Sequence, residues 1–392
     1  MNARRSDATP IPRRPETFRR PPRVGGRAVL VAATLLLQGA CGSDSTAPPP
    51  GDEATPLTLR LERVPALDAG VHGSYEAWVV GSDGAVRSAG RFQGHAPGAG
   101  SVTVTLSSPI PGPAAVFLTV EPPGDSDETP SEMRFLGGPL MGGRAELDYT
   151  DYLTPGVPLQ PEPGTHVLFT PSNNAELGGV NTDEDAGVWM FNIDAPGGAR
   201  PDNPDYYLTY TPLSPGWIYE GWVVRDHGSE DAVWFAYGKF QPSVRQKVDS
   251  MDSAGFGPFS GRLRPRQIRF EHEIDFPGGD WVSNAFGLPV PGGLTLPLDL
   301  NGCQAGPEEC AAAGQEFGDS RYTHVVTIEP RADLAEDRWL FEPVSPEDAV
   351  LPEPFPLFAP YRNPIGNAPP FEARTIEYRP EGLPAGTAEL GS

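Results

Sequence analysis

The chain has 392 residues, with 29 basic and 52 acidic side chains and a formal net charge of −23. Its 46 glycines and 48 prolines interrupt helix interiors but suit turns and strand ends, which excludes a helical bundle or a coiled coil. With 38 % hydrophobic and 9 % aromatic residues a packed core remains within reach, so the composition favours an all-β chain with many loops.

Residues 1–40 hold eight arginines (Arg4, Arg5, Arg13, Arg14, Arg19, Arg20, Arg23 and Arg27) against Asp7 and Glu16. An apolar run from Ala28 to Leu37 follows, closed by Gln38-Gly39-Ala40-Cys41. A positive start, a short apolar stretch and a small-residue cleavage site make an export signal that is too short to span a bilayer. The Gly-Ala-Cys ending resembles a bacterial lipoprotein signal, which implies that Cys41 becomes the lipidated first residue of the mature chain. Gln38 stands where that signal usually has Leu, and the long arginine-rich lead leaves a translation start near Val24 open. An ordinary secretory signal, with Cys41 lost or unmodified, is the alternative. Residues 41–56, which include Pro48-Pro49-Pro50, read as a polar tether. Removing the first 40 residues leaves 21 basic and 50 acidic side chains, a net −29. A body this acidic repels phosphate backbones, so no nucleic-acid partner is expected.

Beyond the tether the chain repeats itself. Residues 73–93 read GSYEAWVVGSDGAVRSAGRFQ, and residues 216–241 read GWIYEGWVVRDHGSEDAVWFAYGKFQ. Tyr75, Glu76, Trp78, Val79 and Val80 match Tyr219, Glu220, Trp222, Val223 and Val224, and Gly90, Phe92 and Gln93 match Gly238, Phe240 and Gln241. A second pair of segments follows in the same order, FLTVEPPGD at 117–125 and VVTIEPRAD at 325–333. Two collinear matches read as a tandem duplication. Alternation of aromatic and β-branched residues with polar or small ones is the period of a half-buried strand, and the Gly-Ser-Asp-Gly turn makes the first motif a hairpin. Further strands are expected at 101–106, 166–171, 187–193, 206–211 and 266–276. The expected architecture is two tandem β-sandwich or barrel-like domains, at 57–160 and 161–345, the second with an insertion at about 243–320. Residues 346–392 read as a Pro-rich tail, in which FEARTIEY at 371–378 can add an edge strand.

The order Tyr-x-x-Trp-Val-Val, Gly turn, Gly-x-Phe, Leu-Thr-Val-Glu-Pro resembles the extracytoplasmic C-terminal domain of anti-sigma-K factors, over about 80 residues of the first copy. The resemblance implies an all-β envelope domain that senses or binds, and not an enzyme. The cytoplasmic helical domain and transmembrane helix of that family have no counterpart in the sequence, so no sigma-factor partner is expected. The partner implied is an envelope protein or polysaccharide, with the membrane reached through the lipid anchor in the outer membrane or periplasm.

Candidate chemistry is sparse. Cys303 and Cys310 flank a short loop and are expected to form a local disulfide in an oxidising compartment; a metal reading lacks a CxxC or a nearby His. The histidines show no HxxxH or HExxH spacing. Glu271, Glu273 and Asp275 share a strand face, and residues 173–185 are oxygen-rich; both read as solvated, with Ca²⁺ as the alternative, and neither metal nor cofactor is expected. Glu76 and Glu220 draw attention as acid–base candidates, but duplication argues for packing, and each is expected to face solvent or bond a neighbouring strand. Tyr75, Trp78, Tyr219 and Trp222 are weak binding candidates: they either stack on sugar rings or belong to the core, with alternation placing Glu76 and Trp78 on one face and Tyr75 and Ala77 on the other. No nucleophile–base motif is present, so an envelope hydrolase ranks below a sensing or binding protein and below a glycan-binding or adhesion module.

Overall fold

The computed structural model describes residues 55–94, 101–106, 108–170, 172, 184–191, 208–241, 259, 277–284, 287–302, 307–312, 321–331, 355, 358–366 and 372–391. Cys41, the signal and most of the tether lie outside them, as do the acidic loop 173–183 and the expected strand at 266–276. Cys303 is also outside. Cys310 falls on the short helix Pro307–Ala312, but its side chain is not described.

The described chain is all-β, in four antiparallel four-stranded sheets. The first half supplies β1 (Thr55–Glu62), β2 (Ser74–Gly81), β3 (Val86–Phe92), β4 (Val102–Leu106), β5 (Pro113–Glu121), β6 (Arg134–Pro139) and β7 (Arg144–Leu147). The second half supplies β8 (Thr165–Leu168), β9 (Gly187–Phe191), β10 (Trp217–Arg225), β11 (Val233–Phe240), β12 (Gly278–Asp280), β13 (Tyr322–Pro330), β14 (Phe358–Pro364), β15 (Arg374–Thr375) and β16 (Ala385–Leu390). The sheets run β4-β1-β16-β7 and β3-β2-β5-β6, then β12-β9-β8-β15 and β11-β10-β13-β14. Of the strands expected from sequence, 206–211 does not form one over its described part, 208–211.

The two similar hairpins pair in the same register. In the first, Tyr75 faces Phe92, Glu76 faces Arg91 and Ala77 faces Gly90, and a bulge then passes over Ala89 so that Trp78 meets Ser88. In the second, Tyr219 faces Phe240, Glu220 faces Lys239 and Gly221 faces Gly238, and the bulge passes over Tyr237 so that Trp222 meets Ala236. The bulge glycines Gly90 and Gly238 sit at φ 125° and 106°, a backbone region that penalises any Cβ. On the other side β2 pairs β5 and β10 pairs β13, setting Glu76 against Thr119 and Glu220 against Thr327.

Alternation sorts these strands as the pattern demands. Tyr75, Ala77 and Val79 join the core with Leu57 and Leu59 of β1 and Val116, Leu118 and Val120 of β5. Each such buried aliphatic side chain contributes about 1.5–3 kcal/mol relative to exposure. Tyr219 and Val223 point inward likewise, whereas Trp222, Val224, Ala236 and Val325 make a separate cluster on the outer face of their sheet. The inner core is continuous between the halves: Phe135 of β6 and Trp217 of β10 both meet the Phe358 ring of β14, at 5.9 and 5.1 Å.

The C-terminal segment departs from the expected tail. Its β14 lies at one edge of the β10 sheet, and β15, from FEARTIEY, lies at the edge beside β8. Strand β16 enters the other half of the molecule and lies between β1 and β7, pairing Leu59 with Ala388 and Ala145 with Ala388. Its sequence, AGTAEL, has too little apolar weight to announce a strand. What it offers instead is small side chains and a full set of backbone donors and acceptors between two open edges.

Candidate functional site

The four aromatic binding candidates are core residues. Tyr75, Trp78, Tyr219 and Trp222 are each 0 % exposed, so none presents a stacking platform at the surface. Trp78 donates its indole N–H to Thr119 Oγ1 at 2.8 Å, and Trp222 does the same to Thr327 Oγ1 at 2.8 Å. Glu76 and Glu220 are also buried, and each bonds the neighbouring strand. Glu76 Oε2 accepts from Arg91 Nε at 2.8 Å, with Ser88 on its other oxygen, and Glu220 pairs with Lys239 at 3.9 Å. Arg91 also reaches Asp125 at 2.5 Å. Both glutamates thus serve strand pairing.

A different constellation sits between the sheets of the second half. His166 and Met190 face each other across β8 and β9. From the opposite sheet His324 of β13 approaches His166, with ring centroids 4.6 Å apart at 64°. Tyr237, the bulge residue of β11, places its hydroxyl 2.7 Å from His324 Nε2 and 3.2 Å from Met190 Sδ. Tyr210 points its hydroxyl at the same sulfur from 3.7 Å. All of these side chains are buried. Desolvation pushes the His166 pKa down to about 3, with the positive charge of Arg374 adding to the effect, and burial holds His324 well below its ordinary value, so both imidazoles are neutral. Neither ring nitrogen of His166 has a hydrogen-bond partner.

The glycine opposite this bulge is tied to the cluster. A Cβ on Gly221 would lie 1.7 Å from the Tyr237 ring. In the first hairpin the corresponding residues are Ala77 and Ala89, where a small bulge residue leaves room for a methyl group. Gly221→Ala should therefore destabilise the protein by about 1–3 kcal/mol through overpacking. Tyr237→Ala carries its own cost of about 3–5 kcal/mol as a buried aromatic, but in that background Gly221→Ala should add little further loss. Thermal melts of the single and double variants measure both effects, and additive losses would refute the steric account.

Residues 28–133 match the family model described as anti-sigma-K factor rskA, C-terminal. Among the described residues the match takes in β1 to β5 and stops one residue short of β6. It covers about a quarter of the chain and none of the second half. A match to rskA points to a regulatory or sensing role, and its C-terminal domain is typically extracytoplasmic, consistent with an exported chain. No curated protein and no solved structure matches the chain. No helix among the described residues is long and apolar enough to cross a membrane.

The His166–Met190–Tyr237–His324 cluster escaped the search for local spacing because each member comes from a different strand. One signal was present in the sequence. Laid on the first copy, HVVTIEP places His324 over Val116, and FAYGKF places Tyr237 over Ala89. His166 and Met190 had no counterpart to compare until the sheets were known.

Proposed function

We propose that this chain is a non-enzymatic lipoprotein of the cell envelope, built by tandem duplication of an anti-sigma-K-factor-like outer domain and used to sense or bind. The observation that carries the reading is the residue-by-residue agreement of the two hairpins, one of which lies inside the family match. Pairing, bulge position, bulge glycine and the indole–threonine bond all recur, which chance convergence of two unrelated sandwiches does not provide. A glycan-binding role would need surfaces other than the four buried aromatics. The acidic body favours an envelope protein with a basic or neutral face over any polyanion. Sigma-factor sequestration is not carried over from the family.

The anchor rests on Cys41 and is tested by Cys41→Ser. The wild type should take up a labelled fatty acid and sediment with membranes, whereas the variant should be unlabelled and released. A variant that still sediments after a high-salt wash would refute the lipid anchor.

A further inference from the structure

We propose that the second sandwich holds a soft monovalent metal ion, Cu(I), between its sheets, with His166, His324 and Met190 as donors. The first argument is cost. A fully buried imidazole with no partner on either nitrogen forfeits the hydrogen bonds it made in water. Burial of that kind calls for a ligand the structure does not itself supply.

The second argument is internal to the molecule. Pairing register places Ala89 of the β3 bulge and Val116 of β5 where Tyr237 and His324 stand, and strand order sets β16 and β1, with inward Ala388 and Leu59, where β8 and β9 carry His166 and Met190. Each is 1 % exposed or less, and every one is apolar. The fold is therefore content with hydrocarbon where the second sandwich puts two imidazoles, a thioether and a phenol. Packing does not require that substitution, so function is the better account of it.

The donor set selects the ion. Thioether sulfur favours Cu(I) among biological metals, and neutral imidazole accommodates it equally well. Histidine coordinates through a neutral ring. The proposed donors are all neutral, and Arg374, the register partner of His166 on β15, adds positive charge nearby while its guanidinium bonds Ile365 O at 2.8 Å. A divalent ion would meet neutral donors and a neighbouring cation; a monovalent one carries a far smaller desolvation cost. The Tyr237 hydroxyl contacts both His324 Nε2 and Met190 Sδ, so those two donor atoms flank one phenol oxygen, which the ion would displace. Binding moves no electron: the ion enters and leaves as Cu(I). The inference does not depend on the lipid anchor.

The test uses the full chain with Cys41, Cys303 and Cys310 each changed to Ser, so that no thiol can bind the ion. Under anaerobic conditions it is titrated with Cu(I) against a chromophoric chelator, with Ag(I) as a redox-inert probe and Zn(II) as the competitor. One Cu(I) per chain is expected, preferred over Zn(II), with nitrogen and a single sulfur neighbour by X-ray absorption. His324→Val copies the residue found at Val116 and should weaken Cu(I) binding by at least about 100-fold, the upper range of outer-shell effects. Met190→Leu should abolish the sulfur signal while leaving the melt near that of the wild type, and it decides the matter if His324→Val folds poorly. Failure of the thiol-free chain to take up Cu(I), a preference for Zn(II), or a sulfur signal that survives Met190→Leu would each overturn the proposal.

Discussion

Removal of residues 385–392 should abolish cooperative folding of the first sandwich, with a loss of more than about 4 kcal/mol, the range reserved for disrupted cores and networks. Strand β16 is an inner strand, paired with β1 along Leu57–Glu62 and with β7 along Arg144–Leu147. Without it both neighbours present unpaired edges, and Leu57, Leu59, Ala145 and Leu147, all buried, lose the cover given by Ala388. Open edges of this kind invite pairing with other chains, so the truncated protein should aggregate on warming. A synthetic peptide covering 384–391, supplied in trans, should restore solubility by strand addition. Truncation after Gly391 serves as the control and should leave the melt unchanged. A protein lacking 385–392 that melts cooperatively at the wild-type temperature would refute this placement.

Trp78→Ala and Trp222→Ala should each cost about 3–5 kcal/mol, the usual loss for a large buried aromatic. Both indoles are 0 % exposed, and both donate to a buried threonine hydroxyl that the alanine variant leaves without its donor. Trp78 also stacks against Phe117 at 6.3 Å and 14°, while Trp222 meets Trp234 edge-on at 5.6 Å and 85°. The aromatic neighbours differ although the hydrogen bond is the same. Replacing Thr119 or Thr327 by Val removes the shared indole bond, and the loss should be larger at Thr119, whose hydroxyl also donates to the buried Glu121 carboxylate. Chemical denaturation followed by intrinsic fluorescence gives the numbers. Trp variants that unfold at the wild-type midpoint would return both indoles to the list of surface binding residues.

The parts of the fold that were legible in the sequence are those held by local pattern. YEAWVV and YEGWVV alternate at the strand period, the hairpin turn carries its own glycines, and Thr-x-Glu-Pro marks the third strand of each copy, so β2, β3, β5 and their counterparts could be placed. The inward and outward faces also followed: Tyr75 and Trp78 do part to opposite sides. Burial of the outer side did not follow, because it depends on covering residues elsewhere, such as Tyr152 against Phe117 and Ala359 beside Trp222. Strand β16 was invisible for a related reason. Its stability comes from two edges formed far earlier in the chain, and Gly, Thr and Ala give no local sign of that. The His166–His324 pair shows the same limit, since cross-sheet proximity is a property of topology and not of spacing. Comparing the copies with each other recovers half of that site, which is the practical value of an internal repeat.

Register-specific cross-linking of β16 tests the central claim, that the two halves are equivalent sandwiches and that the C-terminal strand completes the first. Thr58 and Glu389 are direct partners on the outward side of β1 and β16, whereas Thr387 faces Arg60. In a chain with Cys303 and Cys310 changed to Ser, the pair Thr58→Cys with Glu389→Cys should oxidise to a single intramolecular disulfide and keep a cooperative melt. The offset pair Thr58→Cys with Thr387→Cys should oxidise slowly or lower the melt, because a disulfide tolerates little displacement of its Cβ atoms. Equal oxidation of both pairs, or none in the folded protein, would contradict the account.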